Sequence, residues 1–101
     1  MINLFHQIAA VRIVTRSIEA AVQQTGASRH AVQAVRDLMQ DGLPRSDEEI
    51  AAAVRRPGGG RWSPDTARHA RLALTIAGVL RWSGKVRDAV YGRPSCVWVL
   101  A

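Results

Sequence analysis

The chain has 101 residues, 48% of them hydrophobic, with 14 basic and 8 acidic side chains, a formal net charge of +6 and a pI near 11.3. That is enough material for one small core and too little for two, and a composition this apolar excludes wholesale disorder. Thirteen of the basic residues are arginine and one, Lys85, is lysine, and the charge is unevenly placed: residues 1–54 hold five basic and six acidic groups, net −1, whereas residues 55–101 hold nine basic and two acidic, net +7. The second half therefore carries the surface expected to meet something anionic.

The single cysteine, Cys96, excludes an internal disulfide or a cysteine-built metal cage and fits a reducing cytoplasm. His6, His30 and His69 lack the spacing of a metal site, and no carboxylate completes a triad with serine or cysteine, so neither metal, cofactor nor catalysis is expected. The first fourteen residues are apolar but broken by His6, Gln7 and Arg12, without the basic start or cleavage-like site of a leader. Nothing approaches the roughly 18 apolar residues of a membrane span. A cytoplasmic protein without a membrane partner is the expectation.

In chain order, Leu4, Ile8, Val11, Ile18 and Val22 follow helical spacing and predict an amphipathic helix over residues 3–24, with a break at Thr15 to Ser17 as an alternative to a continuous rod. Gly26 stops it. Ser28 caps a second helix over residues 29–40, whose apolar side is Ala31, Val32, Val35, Leu38 and Met39. Leu43-Pro44-Arg45 reads as extended. Ser46 or Asp47 caps a third helix reaching about Arg56, with Ile50, Ala53 and Val54 buried, and Pro57 with Gly58-Gly59-Gly60 ends it.

Ser63-Pro64-Asp65-Thr66 starts a fourth helix running to about Ala77: a hydroxyl cap, proline in the first turn, then an acid at the positive end. Its core side is Ala67, Ala70, Leu74 and Ala77, which turns Asp65, Arg68, His69 and Leu72 outward. Residues 79–83 and 96–100 read as the arms of a hairpin joined by a long basic loop, residues 84–95, with Lys85, Arg87 and Arg93. Trp62, Trp82 and Trp98 are read as core rather than as stacking platforms. The fold class is mainly α with a small β-hairpin.

This order of elements resembles a winged helix-turn-helix. Ser46-Asp47-Glu48-Glu49-Ile50-Ala51 looks like the "S/T-D-E-E-I-A" opening of the second helix in many bacterial and phage members. Residues 63–80 resemble their recognition helix and its "A-G-L-V" step into the wing, and Cys96-Val97-Trp98-Val99-Leu100 is similar to the closing wing strand. The likeness covers about residues 29–100, and divides the chain into an N-terminal helical extension, 1–27, and a winged domain, 28–101. The turn from Arg56 to Trp62 and the wing are both longer than the minimal pattern.

The resemblance implies a regulator that binds double-stranded DNA, with helix 63–77 in the major groove and hairpin 79–100 on the backbone. Arg68 and Arg71 would grip guanine or phosphate, Thr66 and His69 would give single hydrogen bonds, Lys85, Arg87 and Arg93 would neutralise phosphates or enter the minor groove, and Arg61 and Ser63 complete the set. Two other readings stand beside it: a winged protein-interaction module in a phage or replication complex, and an excisionase-like architectural factor. Residues 21–32, with Thr25-Gly26-Ala27-Ser28-Arg29, also resemble a helix-turn-helix of the "T-G-x-S-R-x-x-V" kind. The surplus helix 3–24 packs on its own domain or pairs with a second copy, which would make a homodimer reading a palindromic site.

Overall fold

The computed structural model describes the backbone of residues 4–88 and 93–101 and the side chains of residues 14–87 and 93–101. In order the elements are α1 (Leu4–Thr25), α2 (Arg29–Met39), β1 (Arg45–Ser46), α3 (Asp47–Ala53), α4 (Pro64–Ile76), β2 (Leu80–Asp88) and β3 (Pro94–Leu100). Four helices are thus joined to a three-stranded antiparallel sheet ordered β1-β3-β2. No helix among the described residues is long and apolar enough to cross a membrane. Expectations for Asn3 and for the centre of the hairpin loop, 89–92, lie outside the described residues, as do those for the side chains of Leu4, Ile8 and Val11.

The helices begin where hydroxyl caps satisfy their first amides. Ser28 accepts from the Ala31 amide and Ser63 from that of Thr66, with Pro64 in the first turn where its missing N–H costs nothing. At α3 the cap is reciprocal: Ser46 Oγ accepts from the Glu49 amide while Glu49 Oε1 accepts from the Ser46 amide, each at 3.2 Å. α1 runs unbroken through Thr15 to Ser17.

α4 is the central post, touching α1, α2, α3 and β2. Its alanines Ala67, Ala70 and Ala73 let the neighbours approach closely, and around them close Ala21 and Val22 of α1, Val32, Val35 and Met39 of α2, Ile50 and Val54, and Leu80 of β2. The end of the N-terminal helix therefore belongs to the same core as the rest. Ala77 and Leu38 are only half-buried, and Ala53 is exposed.

α3 stops at Ala53 rather than near Arg56, because Pro57 bars Arg56 from helical backbone and the Arg56 amide bonds instead to the Gly60 carbonyl at 2.6 Å. The Arg55 guanidinium covers the helix end, donating to the Ala52 and Val54 carbonyls. The extended segment before α3 is a strand: Arg45 pairs with Trp98 and Ser46 with Val97.

The hairpin arms are also longer than the sequence pattern suggests. Trp82 pairs with Trp98, the register then slips, and Val86, Arg87 and Asp88 pair with Cys96, Ser95 and Pro94. The slip is a bulge at Ser83 to Lys85 in which Gly84 takes φ +86°, a conformation a side chain would strain. Lys85 and Arg87 consequently sit on a strand and not in a loop. Trp62 and Trp98 are half-buried, but Trp82 is half exposed, its Nε1–H closing the bulge on the Lys85 carbonyl at 3.0 Å.

Candidate nucleic-acid interface

Because Ala67, Ala70, Ala73 and Leu74 of α4 face the core, the opposite side of the helix presents Asp65, Arg68, His69, Leu72 and Ile76 to solvent. Arg68 Nη2 reaches Asp65 Oδ1 at 3.2 Å, with both side chains more than half exposed. A pair so placed is screened by water and its guanidinium exchanges partners readily. Ser63 and Thr66 share their hydroxyls at 2.8 Å in the cap, so Thr66 is half-buried and engaged locally.

Arg71 has a different place from the one expected. It stands four residues after Ala67 and three before Leu74, inside the buried stripe, and only 8% of it is accessible. Its Nε donates to Asp47 Oδ1 at 2.7 Å, its Nη2 to Asp47 Oδ2 at 3.0 Å, and its Cζ lies 3.9 Å from the centroid of the Trp98 ring. This fork joins α4 to the start of α3 and to β3, a structural role that removes Arg71 from the ligand-facing set. Among the described residues the buried Trp98 Nε1–H has no acceptor, so the indole is held by its face. The signal in the sequence was an arginine at a core position, which requires a buried acid nearby.

Arg87 is half exposed but tethered: its Nη1 lies 2.7 and 2.6 Å from the two carboxylate oxygens of Glu49. Burial pushes the Glu49 carboxyl up, yet the Ser46 amide and hydroxyl together with Arg87 outweigh it and hold the group below the ordinary glutamate range. Arg71 and Arg87, both from the basic half, are thus neutralised by two acids at the start of α3.

The remaining cations differ. Arg55, Arg56 and Arg61 around the glycine turn, Arg81 and Lys85 on β2, and Arg93 before β3 are exposed and in no ion pair among the described residues. Gly58 and Gly59 take φ of +93° and +103°, which turns the chain tightly between two of these arginines and the third. On the hairpin, Arg81, Lys85 and Arg87 line an open cleft of about 360 Å³ floored by Val97 and Val99. Arg29 and His30 at the start of α2 are exposed, but Arg29 is paired with Glu19 at 2.9 Å and the apolar stripe of α2 is committed to the core.

No protein-family model matches the chain, and neither a curated protein nor a solved structure matches it.

Proposed function

We propose that the protein binds double-stranded DNA as a sequence-specific regulator, laying the outer side of α4 in the major groove with the β2–β3 hairpin against the backbone. The observation that carries this reading is the division of α4: one side is fixed in the core, and the other offers Arg68 and His69 on a capped helix flanked by unpaired cations at the glycine turn and on the hairpin. A helix held rigidly from behind suits base-edge contacts, and mobile exposed cations suit phosphates. The element order, with a short first strand beside the last, is compatible with a winged helix.

Titration of a labelled random-sequence duplex tests it. Binding at low salt should fall with a log–log salt slope of roughly −4 or steeper if about five cations meet phosphates. Selection from a random duplex library should then enrich a defined site. Absence of binding at low salt refutes the reading. The exposure of Leu72 and Ile76, four residues apart on the outer side of α4, favours a second one, in which that side meets a protein. Leu72→Ser that leaves duplex binding unchanged while abolishing a partner contact would select it.

A further inference from the structure

The β2–β3 hairpin changes character at its bulge. Before it, Leu80 is buried and Trp82 pairs with Trp98, whose ring lies against Arg71. Past it, Val86 is 60% exposed and none of the described side chains of residues 85–87 and 93–96 is buried, so the outer hairpin has no apolar anchor there. Arg87 ties it to α3 instead. Its Nη1 lies 2.7 and 2.6 Å from the two oxygens of Glu49, and Glu49 is itself held: Oε1 accepts from the amide of buried Ser46, which pairs with Val97 in the sheet. The acceptor is therefore set in place by a cap that α3 needs in any case.

We propose that Glu49 is a brake on nucleic-acid binding: it occupies the Arg87 guanidinium in place of a phosphate and keeps the outer hairpin docked on α3. The withholding of Arg87 rests on the duplex-binding reading above, whereas the docking does not. Of the basic side chains described on the hairpin, Arg81, Lys85 and Arg93 are exposed and in no ion pair among the described residues, so Arg87 is the one the fold holds back. A carboxylate this close satisfies the same donor that a phosphate would use, and by cancelling its charge removes one cation from the salt-dependent attraction. The pair is 48% and 41% exposed, so a change of charge opens it without breaching the core.

Glu49→Gln isolates the effect, because a glutamine at this cap position still accepts from the Ser46 amide but carries no charge. In salt titrations of a labelled duplex it should steepen the log–log slope by about one and tighten binding about fivefold at roughly 0.1 M salt. Adding Arg87→Gln should return both to the parent's values. An unchanged slope in Glu49→Gln overturns the withholding, and so does a gain that survives in the double variant, since it then comes from lost repulsion and not from Arg87. Should Glu49→Gln not fold, Arg87→Gln alone decides: it leaves the cap intact, and a slope lower by about one shows that Glu49 withholds nothing. Amide exchange at residues 85–87 and 95–96 of the free protein reads the docking without DNA. Glu49→Gln should speed it about threefold, and unchanged rates overturn the docking. If the parent binds no duplex at low salt, the duplex reading falls and the withholding with it, while exchange still decides the docking.

Discussion

The two halves of the chain use arginine differently. Up to Val54, Arg29 and Arg45 face carboxylates, Glu19 and Asp41, on the same or the neighbouring helix or turn. From Arg55 onward, Arg68 has a local acid in Asp65, Arg71 and Arg87 draw on Asp47 and Glu49 of the first half, and Arg55, Arg56, Arg61, Arg81, Lys85 and Arg93 are in no ion pair among the described residues. Asp47 and Glu49 of the first half therefore neutralise Arg71 and Arg87 of the second, and the exposed cations that remain either bond only to backbone carbonyls, as Arg55 and Arg81 do, or stand in no ion pair among the described residues. Position relative to the core, and not residue type, separates the two groups.

The sharpest way to break that comparison is at the buried fork. Asp47→Ala leaves the guanidinium of Arg71 enclosed without its partner and should lower stability by about 3 kcal/mol, read from urea unfolding. Asp47→Leu with Arg71→Leu should recover most of the loss, because no lone charge is left. If Asp47→Ala costs nothing, Arg71 is not structural. Arg68→Ala, three residues away on the outer side, should do the reverse: unfolding unchanged, and duplex affinity at the selected site reduced by about 1–3 kcal/mol, read by fluorescence anisotropy.

Arg68 and Arg71 also show how far the sequence could be read. Local chemistry announced the helices: Ser28, Ser46 and Ser63 cap where hydroxyls precede apolar stripes, and the outward set of α4, Asp65, Arg68, His69 and Leu72, follows from the spacing of its alanines alone. What escaped depends on contacts between residues distant in the chain. Arg71 meets Asp47 from 24 positions away and Arg87 meets Glu49 from 38, and although the core position of Arg71 calls for an acid, nothing local says which acid serves either arginine. The length of β2 was hidden because the bulge at Gly84 interrupts strand alternation, and β1 is visible only through its partner Trp98. Trp82 was misjudged for the same reason, since its indole serves the bulge and not the core.

A smaller effect separates phosphate contacts from base contacts within the basic half. Lys85→Gln and Arg93→Gln should weaken binding to all duplexes alike and each reduce the salt slope by about one, whereas Arg68→Ala should alter the preferred sequence. Arg87→Gln should affect the slope less, because Glu49 already neutralises that guanidinium in the free protein. Equal slopes for Lys85→Gln and Arg87→Gln would show that Arg87 leaves Glu49 on binding.

The smallest effect tests the other half. The Asp41 carboxylate is lowered from 3.8 to about 2, first by its hydrogen bonds from Arg45, at 2.8 and 2.6 Å, and then by the Leu43 amide. A carboxyl whose folded pKa lies below its unfolded one binds fewer protons folded than unfolded, so its contribution is complete above about pH 5 and is lost as pH falls toward 2. Glu49, also held below its ordinary range, adds loss of the same sign. Because Asp41 lies at the surface its share is modest and shrinks further in salt. Asp41→Asn should therefore flatten the decline in urea midpoint between pH 5 and about pH 2 while leaving duplex affinity at neutral pH unchanged. A variant whose midpoints run parallel to the parent's would show that the Asp41–Arg45 pair contributes nothing to stability, and that pairing with a carboxylate does not by itself give an arginine of the first half a structural duty.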